Sequence, residues 1–129
     1  MSKATVEMLK IYKPYSHLDW LNYKIVRKND LTFHHIIKKE NGGNKSTSNG
    51  ALLLPISHQY LHLIEFKDID TYITINKIFK IVNNQLAEPT KDQREILEYL
   101  LQDFEYHHRN DRNSKGKLII KKEYKQRYL

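Results

Sequence analysis

Four of the seven histidines fall between residues 34 and 62. His34 and His35 are adjacent in the run Leu31 to Ile37, which is rich in β-branched and aromatic residues and reads as a strand. A strand sends neighbouring side chains to opposite sides, so one imidazole can bind a metal while the other stays free. His58 and His62 are four apart in a segment that reads as a helix, which puts both on one face at a spacing suited to joint ligation of one ion. Neutral imidazole is both a base and a transition-metal ligand near pH 7, because its ordinary pKa is about 6.5. Histidines four apart are also common on helix surfaces that bind nothing, so this pair gains weight only from the order of the parts around it.

That order is specific. Phe33-His34-His35-Ile36-Ile37 is followed by Gly42-Gly43, then by Asn49-Gly50-Ala51-Leu52-Leu53-Leu54-Pro55-Ile56-Ser57-His58-Gln59-Tyr60-Leu61-His62. His35 to Asn49 is 14 residues, Asn49 to His58 nine, and His58 to His62 four. Over residues 31–66 the chain resembles the HNH nuclease motif, also called the ββα-metal fold. The resemblance implies metal-dependent hydrolysis of nucleic-acid phosphodiester bonds, with DNA ahead of RNA. It places His35 in the general-base slot, where it takes a proton from the attacking water. It places Asn49 in the middle position, which fixes the loop and so supports the base. His34 and His58 occupy the first and second metal-ligand slots, and His62 matches the third. The metal stabilises charge on the phosphate and on the leaving oxygen. Lys38, Lys39 and Lys45 flank the implied cleft and are placed to contact phosphate.

The chain departs from the family pattern in two ways. Many members carry two pairs of cysteines around the motif that hold a structural zinc; here there is no cysteine, and Leu54 and Ser57 stand in the slots of one pair. A structural zinc is therefore not expected, and the fold must rest on packing. The catalytic ion is the second departure. Imidazole ligands favour manganese, nickel, cobalt or zinc, and magnesium fits less comfortably. A different class of function also fits these residues: a nucleic-acid-binding or regulatory module that keeps the fold without turnover. A purely structural metal site uses the adjacent histidines less well.

Several elements must position this constellation. Val6, Met8 and Leu9 give Lys3 to Tyr12 a helical pattern that Pro14 ends, and His17 to Leu21 reads as a further helical turn. Lys38 to Ser48 is a polar loop, and Ala51 to Leu54 a second strand stopped by Pro55. Ser57 is a fair N-cap for the helix through Glu65. Asp70 to Leu86 carries Ile73, Ile78, Ile81 and Val82 as a helical stripe, and Thr90 to Gln93 matches a capping box ahead of Ile96, Leu97, Leu100, Leu101 and Phe104. The expected fold class is α+β in one domain. Residues 1–30 form an N-terminal segment, 31–66 the ββα core, 67–108 two packing helices and 109–129 a basic tail.

At 129 residues, 40% hydrophobic and 29% charged, the chain has room for one modest core and a wet surface. The formal net charge is +7, of which residues 109–129 supply +6 through Arg109, Arg112, Lys115, Lys117, Lys121, Lys122, Lys125 and Arg127 against Asp111 and Glu123. That tail is either a solvated extension or, with Tyr124 and Tyr128, a clamp on phosphates. The charge points to nucleic acid as partner rather than membrane, since no amphipathic membrane-binding helix accompanies it, and no run approaches the roughly 18 apolar residues of a membrane span. Absence of cysteine and of a signal-peptide pattern makes the cytoplasm the expected location. A chain this small dimerises readily when it must cut both strands, which makes a homodimer an expectation too.

Overall fold

The structure, a computed structural model, describes residues 2–12 and 17–109. Helix α1 (Lys3–Ile11) starts where Ser2 accepts from the Thr5 backbone N–H, and it buries Ala4, Thr5 and Met8. The segment after it contains no helical turn at His17 to Leu21, contrary to the sequence expectation. Leu18 pairs with Lys24 in an antiparallel bridge, and Asp19 Oδ1 accepts from the N–H groups of Leu21 and Tyr23, each at 2.9 Å. A short acidic side chain that captures nearby backbone donors competes directly with a helix.

Strand β1 (Thr32–His35) pairs antiparallel with β2 (Gly50–Leu53), in the register Phe33↔Leu52, His34↔Ala51 and His35↔Gly50. The first strand is shorter than the expected 31–37, because the chain turns away at Ile36 under hydrogen bonds to Asn49. Between the strands lie two single helical turns, Lys39–Asn41 and Thr47–Asn49, the first closed by Gly42 at φ +88°. Gly43 lies against the Ile37 carbonyl, where any Cβ would collide with backbone.

Helix α2 (Pro55–Lys67) has Leu54 as its N-cap and Pro55 in its first turn, so Ser57 is not the cap. Proline suits that turn because its missing N–H has no partner there anyway. Ser57 is instead fully buried and donates to the Asp19 carboxylate. Helix α3 (Ile69–Asn84) begins at Asp68, which accepts from Thr71 N. Helix α4 (Lys91–His108) begins with the expected capping box, Thr90 and Gln93 bonding reciprocally.

The result is an α+β fold: an antiparallel hairpin followed by a helix, in ββα order, with further helices packed on it. Trp20 sits edge-on to Tyr12 and Phe79, and Tyr60 edge-on to Phe104, joining α1, α3, α2 and α4 through one core. The buried face of α3 is rotated from the expected stripe. Tyr72, Ile75, Asn76, Phe79, Val82 and Asn83 point inward, whereas Ile73 and Ile81 are 44% and 58% exposed. The two asparagines go inside because each finds partners there: Asn83 Nδ2 donates to Thr47 O and Gly50 O, both at 2.7 Å. On α4, Leu97, Leu101 and Phe104 are buried as expected, and Ile96 faces out. Among the described residues no helix is long and apolar enough to cross a membrane.

Candidate metal and hydrolytic site

All four histidines of the motif open onto one cleft of about 660 Å³, together with Lys38 and Lys39. His34 lies at its floor, 2% exposed, on the face of the hairpin covered by α2 and α3. Its Nδ1 is 3.4 Å from His58 Nε2, and its Nε2 is 2.9 Å from Asn76 Oδ1. Burial lowers the His34 pKa to about 4 against the opposing bond to Asn76, and His58, His62 and His35 push it further down. His58 is also lowered, first by burial and then by His62 and His35. Both rings are therefore neutral at pH 7, the form that ligates metals.

The His34–His58 separation suits a shared ion. Two nitrogens each about 2.1 Å from one tetrahedral metal stand about 3.4 Å apart. On that test the donor set fits a divalent transition metal. His62 lies alongside rather than converging: its ring stacks on His58 at 4.8 Å, and its Nδ1 is 3.4 Å from Glu65 Oε1. Glu65 in turn pairs with the Lys38 ammonium, which also reaches Glu40 at 3.7 Å. Burial tends to raise the Glu65 pKa, yet the bonds from Lys38 and His62 hold it below the ordinary value. Among the described residues, no three His, Cys, Asp or Glu side chains converge on a single metal position.

His35 is on the opposite side of the strand from His34 and half-buried, edge-on to Phe33 at 5.0 Å. Burial lowers its pKa, and the charges of Lys45 and Lys39 add to that, so it too is neutral at pH 7. Asn49 is buried just before β2. Its Oδ1 accepts from Ile37 N at 2.8 Å, and its Nδ2 donates to Ile37 O at 3.0 Å and Asn44 O at 2.9 Å. The backbone adds Ile36 N to Asn49 O at 2.9 Å. Asn49 thus ties down the chain immediately after His35.

Of the expected phosphate contacts, Lys38 and Lys39 line the cleft, while Lys45 stands outside it with its ammonium over the Phe33 ring at 6.0 Å. Arg109 is far along the chain at the end of α4, over Tyr106 at 4.7 Å. Arg112, Lys115, Lys117, Lys121 and Lys122 lie outside the described residues. Four residues that spacing did not single out help build the site: Asn76, Thr32, Glu65 and Asp19. Two of them carried a signal in the sequence. Asn76 interrupts an apolar helical face, and Asp19 stands between Leu18 and Trp20-Leu21. A polar group in such a place must find a buried partner.

No protein-family model, curated protein or solved structure matches the chain.

Proposed function

We propose that this protein is a metal-dependent endonuclease of the HNH type that hydrolyses phosphodiester bonds, with DNA as the first substrate to test. The observation that carries the reading is the opening of His34, His35, His58 and His62 onto one cleft in a ββα arrangement, with the His34 and His58 nitrogens 3.4 Å apart. His34 and His58 would hold the ion, with His62 a ring's width away. When bound, a divalent ion supplies positive charge to the phosphoryl and leaving oxygens.

The chain's own groups do the rest. His35, neutral at pH 7, takes a proton from the attacking water and becomes imidazolium. Asn49 is a positioning residue that holds the loop beside His35 through Ile37. Lys39 and Lys45, exposed near His35, attract the phosphate backbone, and the tail of net charge +6 extends that attraction. Cutting both strands of a duplex would use two copies of the chain.

Plasmid nicking by wild type and His35→Ala, run with magnesium, manganese, nickel, cobalt and zinc and a chelator control, tests the reading. Metal-dependent nicking by wild type, lost in His35→Ala with fold and metal affinity retained, is the expected result. Equal cutting by the variant overturns the base assignment. The position of His62, turned to Glu65 rather than converging on His34 and His58, favours the second reading of a binding module without turnover. That reading predicts salt-dependent DNA binding, no nicking with any ion, and no effect of His35→Ala.

A further inference from the structure

We infer that Thr32 on β1 and Asn76 on α3 are positioning residues that set the tautomers of His58 and His34, so that two unprotonated ring nitrogens face each other. Neither residue belongs to the histidine–asparagine pattern, and Asn76 comes from a helix outside it. The inference rests on the reading of His34 and His58 as metal ligands, but not on cleavage.

The tautomer of each ring follows from which of its partners has a proton to give. A carbonyl oxygen only accepts, and a threonine hydroxyl has a single proton to give. Thr32 Oγ1 lies 2.7 Å from Leu53 O, so its proton is committed there. The 3.2 Å contact between Thr32 Oγ1 and His58 Nδ1 must then be donated by the imidazole. His58 carries its proton on Nδ1, and Nε2 presents a lone pair. At His34 the acceptor is Asn76 Oδ1, at 2.9 Å from Nε2. His34 therefore carries its proton on Nε2, and its Nδ1 is bare.

The bare nitrogens are the two that stand 3.4 Å apart. That distance exceeds the 2.7–3.2 Å usual for an N–H hydrogen bond, and on this count no proton lies between them. Two lone pairs directed at each other in a half-buried setting form a clamp that a cation can complete. Outer partners of this kind fix ring orientation and basicity, and losing one costs about 10- to 100-fold in metal affinity.

The test uses the full chain and zinc as probe. Long-range ¹H–¹⁵N correlation of the imidazoles in the metal-free protein near pH 7 reads the tautomers directly. His34 is expected with its proton on Nε2 and His58 on Nδ1. Zinc competition against a chromophoric chelator is expected to show Thr32→Val and Asn76→Leu about 10- to 100-fold weaker than wild type, with Asn76→Asp, which keeps the acceptor, close to wild type. A His34 proton on Nδ1, donated to His58, overturns the inference, as does unchanged affinity in both apolar variants. Should Asn76→Leu fail to fold, Thr32→Val and the wild-type spectrum decide. Failure of wild type to bind zinc would defeat the ligand reading itself, and absence of nicking alone would leave the tautomers standing.

Discussion

The side chain of Asn49 bonds both backbone groups of Ile37, accepting from its N–H at 2.8 Å and donating to its carbonyl at 3.0 Å. An amide does both at once from two separate atoms, since it carries an acceptor and a donor side by side. The clamp closes a loop of polar, largely exposed residues whose own burial could not hold it. His35, two residues before Ile37, gets its position from this closure.

Asn49→Ala should therefore lower stability by about 1–3 kcal/mol, the usual cost of leaving buried partners unpaired. Asn49→Asp should be worse, because it turns a carboxylate onto the Ile37 and Asn44 carbonyls. Urea unfolding of the metal-free variants measures both. Wild-type stability in Asn49→Asp would show that the amide clamp holds nothing.

The lysines near the cleft should separate by their commitments. Lys38 is already held by Glu65 and Glu40, whereas Lys39 and Lys45 are exposed. Each phosphate contact contributes about 0.9 to the slope of log affinity against log salt. Lys39→Ala and Lys45→Ala are expected to shallow that slope by about this amount each, and Lys38→Ala by less. Fluorescence anisotropy with a labelled duplex between roughly 50 and 200 mM salt reads the slopes. A larger change for Lys38 than for Lys39 would contradict the assignment.

Asp19 gives the fold a pH dependence. Burial pushes its carboxyl up to about 6, while bonds from Ser57, Leu54, Tyr23 and Leu21 pull the other way. The unfolded carboxyl titrates near 3.9. Between about pH 4 and pH 6 the folded chain keeps a proton that the unfolded chain has released, so this group's contribution to stability falls as pH rises through that window. Full development of the difference corresponds to about 3 kcal/mol at 1.36 kcal/mol per pKa unit. Urea melts from pH 4 to 7 should show wild type losing stability relative to Asp19→Asn as pH rises to 6, then no further change. Ser57→Ala removes one donor from the same carboxylate and should extend the loss to higher pH. A wild type that gains on Asp19→Asn over that range would mean the four donors outweigh burial.

Local pattern carried much of the fold. The β-branched and aromatic run at residues 31–37, the stop at Pro55 and the Thr90–Gln93 capping box each depend on interactions within a few residues, and the hairpin, α2 and α4 lie where those signals put them. Local pattern failed where a distant partner decided. The face of α3 turned because Asn76 and Asn83 reach His34, Thr47 and Gly50, and Ser57 left the cap because Asp19, 38 positions away, accepts a hydrogen bond from its hydroxyl.

The same division holds at the site. The sequence by itself singled out the four imidazoles that open onto one cleft, because imidazole identity, strand alternation and a four-residue helical spacing are local properties. Only the tertiary structure decided how they meet. The His34–His58 distance and the hydrogen-bond partner of each of these two rings depend on where α2 and α3 pack on the hairpin. Hydrogen-bond partners 24 to 42 positions apart in the chain are chosen by that packing, and no local periodicity encodes them.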